Sequence, residues 1–475
     1  MGKTAILIIS MFVWSWANLF ALFQFGVAVL INFRHLLPDD LFQAGWLPAL
    51  TEADISDPEW LSVKFLANFY LPAIVVQNLI LRCTPNTLHV QLRCLIALTF
   101  LGTTFGPVCT YLLLGLFGLT YAASKLRRKY AIYIVNLFIV YLVIYKRELL
   151  DNLVTPTAEN ESIDLMFDIA ASWACLRAIS LGLALIDGDV DVIYAFCYYM
   201  YLPSLCAGPL INCKSFTQQL DRSRLPSRVT AIKQAMSSAL KLAIWVLFIE
   251  LVDHTLFVSA MVTAYSNVRF HLTTLEYFGL CVAMMARFYV KYLVIYGVGE
   301  AAARLEGIWL PERPRCTLRV TSGSHLWRTF DRGLYLWFVE YIYVPLGGQI
   351  YASAACFFFA CFWHSFSSSI QVWATVNCAI VVTERSLSKS LSPTVWAFSQ
   401  IPLHWLAVGS NMFYLGDLDV GNDFFHYLSS SALVIAVACV ISLCACVVGN
   451  HFEKEDNALF NTKKSTVIYN KRNTF

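Results

Sequence analysis

The sequence predicts an all-α polytopic membrane protein of about 10–12 transmembrane or re-entrant helices. Three observations carry this. The 475 residues are 58% hydrophobic and only 14% charged, whereas a soluble domain carries about 25% charged residues. Several apolar runs reach the roughly 20 residues needed to cross a bilayer. Arginine and lysine gather in the short connecting loops, where they report orientation. The net charge of +3 is small and dispersed, which excludes a nucleic-acid partner. Residues 1–449 read as a single membrane-embedded domain, with no internal repeat and no separate soluble domain. Residues 450–475 read as a polar, slightly basic cytosolic tail, disordered at its end.

The first apolar run, residues 5–31, is longer than the signal-peptide core of about 7–15 residues, so it reads as a first span. The acidic stretch 34–64 (Asp39, Asp40, Glu52, Asp54, Asp57, Glu59) suits the non-cytosolic side, and a second span covers residues 65–81. The basic loop 82–93 returns the chain to the cytosol. Residues 95–123 are apolar but interrupted at Gly106-Pro107, and the next loop, Lys125-Leu126-Arg127-Arg128-Lys129, is basic again. Two successive cytosolic loops require the segment between them to go in and come back, which a pair of helices broken at the proline does.

A span over 130–145 leads to an acidic loop, 148–164, holding the sequon Asn160-Glu161-Ser162. Glycosylation at Asn160 would put that loop in the lumen, the side its charge also favours. Two apolar stretches, 165–186 and 192–211, are split by Asp187-Gly188-Asp189 and followed by the basic segment 214–233. Only one net crossing fits, so one of the pair is broken or lies along the membrane. Spans 239–258 and 275–298 follow. The second bears Arg287 and Lys291, four apart and on one helical face. Snorkelling, or pairing with an acid such as Glu250, is the plainer reading; a cationic wall for phosphates is the other. The loop 300–332, with Arg304, Arg313, Arg315, Arg319, Arg328 and Arg332, faces the cytosol. The last spans are 352–373, 375–382, 395–415 and 427–448, and the second is so short that it forms one bent unit with the first.

Fifteen cysteines are scattered, many within apolar runs, with neither a CxxC pair nor Cys/His ligand spacing. That supports no metal site and no disulfide framework. The chemistry concentrates between residues 313 and 364. A run of apolar residues from Ala354 to Trp363 ends on His364, with Asp331 upstream. Ionisable groups at membrane depth are rare and tend to be functional. An imidazole, ordinarily titrating near 6.5, stays neutral when buried away from charge and can accept a proton from an attacking amine or hydroxyl. Asp331 can orient the protonated ring or polarise an acyl donor; it can equally be a simple partner for Arg328 or Arg332. A lone buried histidine is more often structural, and His404, inside 395–415, is a rival in less polar company. The arginine-rich flank suits a polyanionic cytosolic donor such as acyl-CoA, with an apolar tunnel behind.

The residues Trp327-Arg328-Thr329-Phe330-Asp331-Arg332-Gly333-Leu334, then Tyr341-Ile342-Tyr343-Val344-Pro345-Leu346-Gly347-Gly348, then Trp363-His364 resemble the core signature of the membrane-bound O-acyltransferase superfamily. Within it the chain is most similar to the hedgehog acyltransferases and their glycerol-uptake-protein-like relatives. The element Tyr201-Leu202-Pro203 with Gly208-Pro209 resembles the same superfamily, and the similarity covers residues 173–377. The resemblance implies His364 as the catalytic histidine and Asp331 as the acid needed beside it. It implies acyl-CoA contacts at Trp327, Arg328, Arg332, Tyr343 and Asn377, the last as a supporting partner. Cys316 falls where those enzymes carry a cysteine associated with haem; a buried or palmitoylated thiol is the alternative. The implied activity is transfer of palmitate from palmitoyl-CoA to the N-terminal cysteine amine of a secreted, hedgehog-type protein in the endoplasmic reticulum or Golgi membrane. Ser365 departs from the pattern, standing where the family usually has glycine, and the stretch from Gly348 to His364 is shorter than in close relatives. Two other readings remain: an O-acyltransferase acting on a lysophospholipid or lipid anchor, and a transporter or non-enzymatic regulator.

Overall fold

The structure is a computed structural model that describes residues 2–46, 50–145, 161–221, 225–387 and 390–472. In chain order its helices are α1 (Gly2–Ala28), α2 (Pro58–Cys83), α3 (His89–Thr104), α4 (Gly106–Lys125), α5 (Lys129–Tyr145) and α6 (Glu161–Asp187). Then come α7 (Val192–Tyr199), α8 (Cys213–Leu220), α9 (Arg228–Thr255), α10 (Thr274–Leu305), α11 (Gly323–Thr329) and α12 (Arg332–Phe338). The last are α13 (Ile350–Trp363), α14 (Ser368–Leu387), α15 (Pro393–Leu415), α16 (Leu418–Leu428) and α17 (Ala432–Arg472). The one sheet among the described residues is a hairpin of β1 (Phe42–Ala44) and β2 (Glu52–Asp54), antiparallel with Phe42 opposite Asp54.

Seven described helices are long and apolar enough to cross a membrane, so the polytopic helical architecture expected from composition holds. They divide by burial. The apolar windows of α6 and α10 are 78% and 67% buried inside the protein, those of α1 and α9 only 11% and 17%. A helix that is apolar all round is a core pillar when protein surrounds it, and a lipid-facing span when hydrocarbon does. Phe12, Phe23 and Ile31 near the N-terminus are accordingly exposed.

The expected break at Gly106-Pro107 is present. Gly106 has φ +82°, and Pro107 falls in the first turn of α4, where its missing N–H leaves no helical bond unmade. Of the pair 165–186 and 192–211, the second is the broken one. After α7 the chain from Met200 to Asn212 is irregular apart from the short turn Leu202–Ser204, and it is almost wholly buried. Non-helical backbone survives in such a place only if protein satisfies it. Arg177, in the middle of α6 and 1% exposed, donates to the carbonyls of Ser204 and of Leu205, the latter at 2.8 Å.

The span expected over 352–373 is not continuous. It stops at Trp363, turns through 364–367 and returns as α14, so the bend lies at His364 and not at the end of a longer helix. The pairing of Arg287 and Lys291 is also corrected in its partners. Arg287 reaches Asp253 at 2.7 Å and Asp57 at 2.6 Å, and Lys291 reaches Asp57 at 2.9 Å and Glu59 at 2.6 Å. Glu250 instead accepts from Lys64 at 3.0 Å and from the indoles of Trp46 and Trp60. Both cations are satisfied by carboxylates, as burial at 6% and 7% exposure requires, which leaves no cationic wall for phosphates. Past Asn450, where the sequence predicts a polar tail, α17 runs on to Arg472.

Candidate active site

Asp331 sits between α11 and α12 as the cap of α12. One carboxylate oxygen accepts from the Leu334 backbone N–H at 2.8 Å, and the other from the Tyr296 hydroxyl of α10 at 2.6 Å. Both oxygens of this half-buried carboxylate are thereby engaged, which offsets the loss of water around it. Gly333 explains the tight sequence after it. A Cβ there would stand 2.2 Å from the Leu210 carbonyl oxygen, so only glycine lets this turn lie on the irregular segment 200–212. The Tyr341-to-Gly348 block makes a second turn. Gly347 and Gly348 have φ +77° and +65°, and the Gly348 carbonyl accepts from Tyr343 at 2.7 Å and Arg385 at 2.9 Å.

His364 caps the C-terminus of α13, its backbone N–H bonding the Ala360 carbonyl at 3.0 Å. Its ring meets three aromatic neighbours edge-on: Trp363 at 4.8 Å, Tyr414 at 5.3 Å and Trp373 at 5.8 Å between centroids. Among the described residues the imidazole has no hydrogen-bond partner. The next two residues, Ser365 and Phe366, have φ +90° and +57° without being glycine. Such conformations cost of order 1–3 kcal/mol each and gather at functional turns.

Asp331 and His364 line one cavity of about 360 Å³, together with Trp327, Tyr296, Tyr414 and Glu59. No hydrogen bond joins the two residues; they face the same chamber from different helix ends. Asp331 and the ring thus share a space without a direct hydrogen bond. A second cavity of about 340 Å³ abuts the first through the common walls Trp327, Tyr335 and Phe338. Arg328, Tyr343, Cys356 and Arg385 border it. The two chambers thus lie side by side, His364 in the wall of one and Arg328 and Arg385 in the wall of the other.

The remaining predicted residues fall into three groups. Trp327 and Asn377 belong to the first chamber, and the Trp327 indole N–H donates to the Asn377 side-chain oxygen at 3.2 Å. Asn377 is fully buried and is held in turn by the Trp373 carbonyl and the Ser410 hydroxyl, so it fixes the tryptophan. Arg332 lies 5.2 Å from the Tyr335 ring and borders neither chamber. Cys316 is half-buried before the turn Thr317–Arg319 and borders neither chamber. Asn160 lies outside the described residues.

The arginine loop is less open than its composition implies. Arg313 pairs with Glu300 at 2.6 Å, Arg315 and Arg319 approach Asp456 at 3.5 and 3.4 Å, and Arg328 pairs with Glu453. Carboxylates of α10 and α17 hold these cations in place. Tyr296, Tyr414, Trp373 and Glu59 carry no motif, and the sequence offers no signal for them except that Tyr292 and Tyr296 repeat at one-turn spacing. Glu59 reaches the chamber wall while bonded to Lys291 and to the Tyr292 hydroxyl at 2.9 Å.

Residues 103–415 match the membrane-bound O-acyltransferase family, a stretch that contains every wall residue of the first chamber except Glu59. Among curated proteins the chain is similar to protein-cysteine N-palmitoyltransferase HHAT of Mus musculus, 27% identical over 257 residues, covering 48% of this chain and 50% of that one. It is similar to protein-cysteine N-palmitoyltransferase Rasp of Drosophila melanogaster, 25% identical over 308 residues, covering 58% and 60%. It is also similar to membrane-bound O-acyltransferase GUP1 of Saccharomyces cerevisiae, 28% identical over 203 residues, covering 41% and 35%. These matches span about half the length of the first two relatives and a third of the yeast protein. With the family match running across most of the chain and enclosing both Asp331 and His364, the chain belongs to the membrane-bound O-acyltransferase family.

Proposed function

We propose that this multi-pass membrane protein transfers an acyl group from acyl-CoA, and specifically palmitate from palmitoyl-CoA to the N-terminal cysteine amine of a secreted protein. The setting is the endoplasmic reticulum or Golgi membrane. One observation carries the reading: an unpartnered imidazole and a fully engaged carboxylate face a single apolar chamber. The two relatives named as protein-cysteine N-palmitoyltransferases support it.

The acceptor amine attacks the thioester carbonyl, a C–N bond forms, and the C–S bond to coenzyme A breaks. His364 takes the proton from the amine and delivers it to the departing thiolate, so the ring begins and ends neutral. Asp331 is held in place near the reacting amine, because Tyr296 and Leu334 fix its oxygens. The acyl chain occupies the aromatic chamber, and the polar part of the donor enters past Arg328 and Arg385.

Purified full-length chain in lipid nanodiscs, given palmitoyl-CoA and a peptide beginning with cysteine, should yield an amide-linked product stable to hydroxylamine. His364→Ala should abolish it, and unchanged turnover in that variant removes the mechanism. A second reading is favoured by the yeast relative named as an O-acyltransferase: a lysophospholipid or lipid-anchor hydroxyl as acceptor. Adding each acceptor in competition separates the two, since a peptide amine and a lipid hydroxyl should not displace one another equally.

A further inference from the structure

His404 lies in the interior of α15, is 8% exposed, and has no hydrogen-bond partner among the described residues. One turn earlier on the same helix, the buried Gln400 amide nitrogen is likewise unpaired. Buried polar groups without partners are uncommon, and each calls for an explanation. His404 forms part of the wall of a separate cavity of about 360 Å³ between α1, α10, α15 and α17. The rest of the wall is mainly apolar and aromatic, including Trp14, Phe278, Trp405 and Phe424. Among the described residues, no aspartate, glutamate, lysine or arginine lines it.

Apart from the Thr274 hydroxyl in the first turn of α10, the other polar side chains of the wall are engaged. Asn18 donates to the Trp14 carbonyl at 2.7 Å, and the Thr317 hydroxyl donates to the Met285 carbonyl at 3.5 Å. The Trp405 indole N–H is fixed on the Ala438 carbonyl at 3.2 Å, which holds that ring in the wall. On the rim, Leu433 and Val437 of α17 are exposed at 73% and 49%, so the cavity opens toward the surface that faces lipid.

We infer that this cavity binds a membrane sterol, whose hydroxyl bonds His404 and whose rigid hydrocarbon body lies between α1, α15 and α17. The chemistry of the wall selects among lipids. A phospholipid headgroup or a free fatty acid brings charge into a wall that holds none, which is costly without a counter-ion. A diacylglycerol brings two ester carbonyls besides its hydroxyl, and most of the donors on the wall are already spent. A sterol brings one hydroxyl to the unpaired imidazole, and flat aliphatic faces to a wall rich in flat side chains. The volume lies within the roughly 300–1,000 Å³ usual for small-molecule sites. Met285 and Thr317 are walls of both this cavity and the chamber of His364, so the bound sterol presses on the back of the reaction chamber.

The test is photolabelling of the full chain in nanodiscs with a diazirine-bearing cholesterol analogue, followed by peptide mapping. Saturable labelling is expected on peptides from α15 and α17, displaced by cholesterol and not by dioleoylglycerol or palmitoyl-CoA. His404→Leu should weaken it about fivefold, the worth of one neutral hydrogen bond. Ala17→Trp, which fills the cavity from a different helix, should remove it. Displacement by palmitoyl-CoA overturns the proposal by assigning the space to the donor's tail. Displacement by dioleoylglycerol but not cholesterol overturns it in favour of another lipid. Labelling that does not saturate, or that neither substitution changes, overturns it as well. The wild-type competition decides the matter even if both variants fail to fold.

Discussion

Two histidines, His364 half-buried and His404 buried, each line a cavity and have no hydrogen-bond partner among the described residues, yet they stand in different chemical company. His364 occupies the end of a helix, at a turn with two non-glycine residues at positive φ, and shares its chamber with Asp331, Tyr296 and Glu59. His404 occupies the interior of a helix and faces a cavity lined by no carboxylate. Burial alone therefore does not mark a histidine as reactive. A proton acceptor suited to chemistry needs an acid nearby to fix charge and a backbone that presents the ring to a space a substrate can enter. A histidine in a neutral wall suits recognition of a neutral hydroxyl.

The contrast breaks most sharply at His364. His364→Ala should lower acyl transfer by roughly 10²–10⁴-fold, the usual worth of a general base, with the purified variant still monodisperse. If His404→Ala produced that loss and His364→Ala did not, the two assignments would be reversed. Asp331→Asn comes next, with a loss of about 10–100-fold in turnover, because the chamber keeps its volume but loses its fixed charge. Steady-state kinetics should place that loss mainly in kcat, whereas a purely structural role would appear as reduced yield and a lower melting temperature.

Asn377→Ala should cost less. It frees the Trp327 indole from its one described acceptor, and about a fivefold rise in KM for acyl-CoA is expected. No change in KM would separate Trp327 from donor binding. The smallest effect is expected at the turn itself. Ser365→Gly should stabilise the protein by roughly 0.5–1 kcal/mol, since glycine adopts φ near +90° without a Cβ penalty. Thermal unfolding in detergent would measure it. A destabilised Ser365→Gly variant would mean that the serine side chain contributes more than its backbone costs.

Much of the architecture was legible beforehand, for a simple reason. Apolar runs of membrane length must be helices, since the backbone has no other way to satisfy itself in hydrocarbon. The break before Pro107 and the interruption at Gly188, which has φ +74°, follow from what proline and glycine do locally. The residues of the reactive chamber were readable where a motif carries them, as with Asp331, Trp327 and His364. They were unreadable where they are brought in by packing, as with Tyr296, Tyr414 and Glu59 from α10, α15 and α2. The pairing of the arginine loop was unreadable for the same reason. Its charges suggested an open anion site, but their partners Glu300, Glu453 and Asp456 come from helices that meet the loop only after folding.

The sequence by itself determined the class of the protein and most of its helical elements, because hydrophobicity is a local property. Only the tertiary structure decided that the chain reverses at His364, that Tyr296 holds Asp331, and that Asp57, Glu59 and Asp253 neutralise Arg287 and Lys291. These depend on which helix faces meet across long separations in the chain. That is settled by the need to pair every buried charge and fill every buried surface at once, and no single stretch of sequence records it.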